Sequence, residues 1–158
     1  MKYRKDFVTN SSSSSFIVVF SSVSERETAF ERLRANYPEY AHTIISDIES
    51  NRVTKEEVLK EIKKDLESDA YWKYYWNNRK YWDRNSKFKN VNPYEDPEIQ
   101  KAVKEYVKQG IAEVLKELPK RGYYSLVEYG DDDGSYYSEL EHHIMPYQEF
   151  VVRRISHH

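Results

Sequence analysis

Phe16-Ile17-Val18-Val19-Phe20 is an unbroken run of β-branched and aromatic residues. A half-buried strand alternates polar and apolar side chains, whereas a short continuous apolar run reads as a strand buried on both faces. Such a strand belongs in the middle of a sheet. Segments 123–129 and 150–155 also read as strands. The stretch between the first strand and these two is dominated by helical patterns. The expected class is therefore α+β, with helices on one face of a small antiparallel or mixed sheet of about three strands, 16–20, 123–129 and 150–155. A chain of 158 residues suits one domain, preceded by a serine-rich leader over 1–15.

The helical patterns carry their own start and stop chemistry. Ser24-Glu25-Arg26-Glu27 and Thr54-Lys55-Glu56-Glu57 both fit the capping box, in which a hydroxyl and a carboxylate satisfy the first free backbone N–H groups. The first helix runs to about residue 36 and the second to about 68, continuing through an aromatic stretch over 70–84. Tyr40, Ala41, Ile44, Ile45 and Ile48 form a stripe that fits a helix, with a strand as the alternative. Asp96-Pro97-Glu98 is a strong helix start, and the apolar stripe from Ile99 to Leu118 ends at Pro119 and Gly122. Gly130 to Gly134 reads as a turn, followed by a short helix-like piece, Ser138 to Met145.

The N-terminal Arg4-Lys5-Asp6-Phe7-Val8-Thr9-Asn10, the serines 11–15 and Phe16-Ile17 resemble an opening shared by many uncharacterised bacterial and phage-associated proteins, mainly of Gram-positive lineages. In those proteins a basic residue precedes a string like DFVTNSSSSSF. The resemblance implies a bacterial or phage origin and brings no activity, cofactor or catalytic residue with it. Physically, serine runs compete for backbone hydrogen bonds and read as loop. Such a loop can pack beside the sheet, serve as a recognition tag, or cradle an anion with its hydroxyl and N–H groups.

The absence of cysteine excludes disulfide scaffolds, thiolate zinc sites, iron–sulfur clusters and cysteine nucleophiles. It fits a reducing compartment, so a cytoplasmic location is expected, with no targeting segment and no membrane partner. The chain lacks G-x-S-x-G, a glycine-rich phosphate loop and a dinucleotide fingerprint, and it has only four glycines with which to build one.

Charge is segregated along the chain. Residues 71–90 hold six cationic side chains against Asp83, a net of +5, whereas 123–149 hold seven carboxylates and no Lys or Arg. The basic segment, Tyr71-Trp72-Lys73-Tyr74-Tyr75-Trp76-Asn77-Asn78-Arg79-Lys80-Tyr81-Trp82-Asp83-Arg84, interleaves four of these cations with seven aromatics, more than one small core can absorb. Trp, Tyr and Arg dominate protein-binding hot spots. The favoured reading is a non-enzymatic accessory protein that binds a host protein through Trp72, Trp76, Arg79, Lys80 and Arg84. Stacking rings beside phosphate-seeking cations also suit nucleic acid or a nucleotide, a weaker reading in an acidic chain. The acidic segment offers a counterpart that would mate with the basic one in a homodimer.

The alternative is a metal-dependent enzyme. Asp131, Asp133, Glu139 and His142 are the candidate ligands for a divalent metal, the one cofactor these residue types suggest. The calcium-loop test fails, because the register set by Asp131, Asp133 and Gly134 places Leu140 where a bidentate Glu belongs. The zinc test finds no H-E-x-x-H, and adjacent His142 and His143 point about 100° apart on a helix. A tight aspartate-rich turn is also ordinary turn chemistry. The terminal His157 and His158 are either native or a tag remnant.

Overall fold

The computed structural model describes residues 13–78, 81, 83–85, 87 and 92–157. It is α+β. The elements run β1 (Ser13–Phe20), α1 (Val23–Asn36), α2 (Ala41–Ser50), β2 (Arg52–Val53) and α3 (Lys55–Tyr71), which passes into a wider π-helical turn, Trp72–Trp76. After these come α4 (Pro97–Glu117), β3 (Tyr123–Gly130), a 3-10 turn (Asp131–Asp133), α5 (Ser135–Glu139), a second π-helical turn (Leu140–Ile144), another 3-10 turn (Met145–Tyr147) and β4 (Val151–His157). Among the described residues no helix is long and apolar enough to cross a membrane.

The sheet is antiparallel with strand order β2-β3-β1-β4, so it has four strands, one more than expected. The missed strand, β2, is two residues long and pairs with Ser125 and Tyr124. Two residues are too few to show any alternation, so β2 is invisible to pattern reading. As expected, β1 lies inside the sheet, between β3 and β4, and all of Ser14–Phe20 is buried.

Strand β1 begins at Ser13, which corrects the placing of residues 13–15 in a loop. The cause is pairing: Ser13 opposes Gly130 on one side and His157 on the other, so the ladder supplies what a serine loop would have supplied itself. The register of β1 on β4 slips between Ile17 and Val18, where Arg153 and then Val151 are opposite. A bulge of this kind leaves one extra residue on the edge strand and sharpens its twist.

Caps fix the helix limits. Asp96 Oδ1 accepts from Ile99 N at 3.0 Å with Pro97 in the first turn, as read from the sequence, and Thr54 Oγ1 accepts from Glu57 N at 3.1 Å. The first capping box is displaced. Ser22, not Ser24, caps α1 by accepting from Glu25 N, and Glu25 Oε2 accepts from Ser21 N. Both serines stand three residues before a glutamate, so spacing alone could not choose between them. The 40–48 stripe is helix α2, ending the helix-or-strand ambiguity.

The chain divides into two compact units, 1–58 with 119–158, and 59–118. In the first, α2 packs on the sheet through Ile44 and Ile48, and the core is built from Phe16, Val18, Phe20, Phe30, Leu33 and Val127 with the turn residues Leu140, Ile144 and Met145. The end of α2 is stitched to β3: Ser125 Oγ donates to Ile48 O at 2.6 Å, and Tyr129 OH donates to Asp47 Oδ2 at 2.8 Å. Burial, then the bond to Asp47, holds the Tyr129 phenol far above its ordinary range, so this ring stays neutral. Gly134, at φ 106°, turns the chain into α5 in a conformation that side-chain-bearing residues avoid.

In the second unit α3 and α4 pass close to one another. A Cβ added to Gly110 would lie 2.8 Å from Leu66 Cδ1, so glycine sets the approach. Tyr74 meets Tyr106 edge to face, and Tyr71 packs on Tyr94 at 4.7 Å between ring centres.

Candidate functional site

Two places answer to the sequence reading, one in each unit. The first is the aromatic–basic segment. Regular α-helical winding stops at Tyr71, and the next turn is wider, with Asn77 N donating to Trp72 O at 2.9 Å. The helix expected through residue 84 is thus interrupted at Asn77 and Asn78, and Tyr81 is helical again. The rings then divide. Tyr81 is buried, Tyr71, Tyr74 and Tyr75 are half-buried, and Trp72 and Trp76 are 64% and 53% exposed. Lys73 lies over the rings of Tyr74 and Tyr106, at 5.4 and 5.5 Å, which favours cation–π attraction. Arg84 is exposed, while Arg79, Lys80 and Trp82 lie outside the described residues.

The second place is polar and lies where β1 begins. Glu141 is completely buried although it is a carboxylate. Its partners explain how that is tolerated. Ser14 Oγ donates to Glu141 Oε1 at 2.9 Å, Arg154 Nε donates to the same Ser14 oxygen at 3.0 Å, and the Arg154 guanidinium stands 3.8 Å from Glu141 Oε1. On the other side His142 Nε2 lies 3.4 Å from Glu141 Oε2 and 2.9 Å from Asp131 Oδ1. Burying a charge is costly unless it is paired and hydrogen-bonded; here Oε1 takes the hydrogen bond, and Arg154 and His142 flank the carboxylate.

The local backbone makes this possible. The π-helical turn Leu140–Ile144, in which Met145 N donates to Leu140 O, carries Glu141 into the core and keeps His142 at the rim. Asp131 arrives from the end of β3. Ligand atoms of Asp131, Glu141 and His142 lie within 4.8 Å of one another, the spacing a single metal ion would require. Of the four candidate ligands the sequence suggested, Asp131 and His142 are in this group. The group takes Glu141 as its third member, while Glu139 and Asp133 stand outside it. Asp133 instead lines an open cleft with Asp47, Glu128, Tyr129 and Tyr137.

Ser14 and Arg154 were missed. The usable signal was register: extending β1 back by two residues puts Ser14 on the face of Phe16, whose partner on the neighbouring strand is Arg154. Ser11 and Ser12 of the serine run lie outside the described residues. Ser14 serves a carboxylate, and Ser15 Oγ lies 3.3 Å from Glu128 Oε2 and 2.9 Å from His157 Nε2.

No family model matches the chain, and no curated protein or solved structure is significantly similar to it.

Proposed function

We propose that the protein is a non-enzymatic binding protein whose contact surface is the turn carrying Trp72, Lys73 and Trp76. The observation supporting this is the exposure of two indoles one turn apart on the same helix. Tryptophan is mostly buried in folded proteins, and a paired exposure of this kind marks an interaction site. The large rigid ring gives contact area at little entropic cost, and the neighbouring cation favours an acidic protein face. The N-terminal resemblance adds a bacterial or phage setting to this reading, and the absence of cysteine fits a cytoplasmic one.

The test is a double Trp72→Ala, Trp76→Ala variant in affinity capture from the encoding organism, read by mass spectrometry beside a thermal melt. The expected result is loss of a captured protein, equivalent to at least about a 30-fold weakening, while stability changes by under about 0.5 kcal/mol. A melt that collapses together with capture would show that these rings serve the fold instead. Capture of nucleic acid that fades steeply as salt rises would move the reading to the phosphate-binding alternative.

The second reading is a divalent-cation site at Asp131, Glu141 and His142, favoured by the convergence of their ligand atoms. Arg154, whose guanidinium already faces Glu141 Oε1 at 3.8 Å, opposes it. If an ion belongs there, Zn²⁺ or Mn²⁺ should raise the melting temperature of the wild type and not of His142→Ala. An identical response of both proteins removes this reading.

A further inference from the structure

We propose that the open edge of β3 docks an extended, arginine- or lysine-bearing segment of a partner protein, which adds a short strand beside Glu128. The edge and the cleft around it lie wholly within the unit formed by 1–58 and 119–158. This surface shares no residue with the Trp72–Trp76 turn, so either reading stands if the other falls.

The open edge follows from the shortness of β2. That strand pairs with Tyr124 and Ser125, and Leu126 N then donates to Asn51 O at 3.1 Å. Before Asn51 the chain is helix α2, so β2 does not extend to Glu128. In an antiparallel sheet alternate residues turn their backbone groups to opposite neighbours. Since Leu126 N–H points away from β1, the N–H and C=O of Glu128 point the same way. Among the described residues no backbone partner meets them there. An unpaired edge is a template for another chain, and adding a strand to such an edge is a recurring way to bind an extended peptide.

The cleft selects the charge of that peptide. It holds about 630 Å³ against the edge and carries three carboxylates, Asp47, Glu128 and Asp133, while no lysine or arginine lines it among the described residues. Glu128 and Asp133 are exposed and Asp47 is half-buried, so solvent already reaches all three. Neutral hydroxyls hold two of them: Tyr129 OH donates to Asp47 Oδ2 at 2.8 Å, and Ser15 Oγ donates to Glu128 Oε2 at 3.3 Å. These bonds leave the charge uncancelled, and a carboxylate offers about four acceptor positions, so incoming N–H groups find room. Half-buried Tyr137 adds a ring on which the stem or guanidinium of the occupant can lie. A guanidinium fork matches such carboxylates, whereas an acidic peptide is repelled by them. Pairing beside one residue makes few hydrogen bonds, so charge supplies much of the affinity.

The test titrates the full chain with a capped Arg-Val-Arg-Val-Arg pentapeptide, followed by ¹H–¹⁵N NMR and amide hydrogen exchange. The peptide should saturate below about 1 mM, move the Glu128 amide proton downfield and slow its exchange, because that N–H gains an acceptor. The Glu-Val-Glu-Val-Glu counterpart should bind at least roughly tenfold more weakly. The double variant Glu128→Gln, Asp133→Asn should weaken the arginine peptide by roughly tenfold, with the remaining NMR signals showing an intact fold. The proposal fails if the arginine peptide does not saturate by about 10 mM, or if the two peptides bind equally. It fails equally if the double variant binds as the wild type does. Saturation without slowed exchange at Glu128 removes the added strand and with it the proposal. A free chain that is already dimeric, with the Glu128 amide protected, would seat a second copy on the edge and overturn it too.

Discussion

Replacing Phe16 with alanine is expected to destabilise the protein by about 3–5 kcal/mol, the usual loss when a buried phenylalanine leaves a cavity. Phe16 is fully buried at the centre of the sheet. Its ring lies 6.3 Å from that of Tyr129, and the Arg154 guanidinium sits 5.8 Å from its centre. β3 and β4 flank it, at Val127 and Arg154, which limits how far the site can collapse. Since whole domains are stable by only about 5–15 kcal/mol, this one change removes a large share. Urea unfolding provides the check, with Val152→Ala as the control. Val152 is exposed on β4, and its truncation should cost under about 0.5 kcal/mol. A Phe16→Ala loss below about 1 kcal/mol would mean that the centre of the core has been misplaced.

Glu141→Ala should cost about 3 kcal/mol, although it removes a charge from the interior. The reason is what remains behind. Ser14 loses the acceptor at 2.9 Å, and the Arg154 guanidinium, 34% exposed, loses its nearest buried counter-charge. Arg154→Ala should cost a comparable amount by leaving the buried carboxylate with Ser14 and His142. Because the two residues share Ser14, the double variant should cost less than the sum of the single ones by at least about 1 kcal/mol. A cycle measured by chemical denaturation decides this. Additivity within about 0.5 kcal/mol would show that Glu141 and Arg154 act separately.

The architecture was largely legible because its main signals are local. Phe16–Phe20 has no polar position, and the α4 start combines an N-cap acid with proline, so neither needed distant information. What stayed hidden depends on pairing. Ser13–Ser15 look like loop until β3 and β4 are placed beside them, and β2 exists only through its two partners on β3. The polar cluster followed the same rule. Asp131 and His142 could be named as chemically interesting, but the choice of Glu141 over Glu139 rests on a widened helical turn that sequence spacing does not announce. For the aromatic segment, composition foretold surplus rings. Only the fold shows Tyr81 taken inside and Trp72 and Trp76 left out.

The strand that anchors the sheet is made long before the strands that complete it. β1 ends at Phe20, yet its ladder partners β3 and β4 begin only at Tyr123 and Val151. A ribosome adding about 5–20 residues per second therefore holds an apolar segment without its mates for several seconds. The compact unit 59–118 is wholly translated within that interval. Contacts spanning so much chain also slow the final closure. The nascent protein thus passes through a stage in which Phe16–Phe20 is a natural client for a chaperone, and stalling or truncation before residue 151 strands it there.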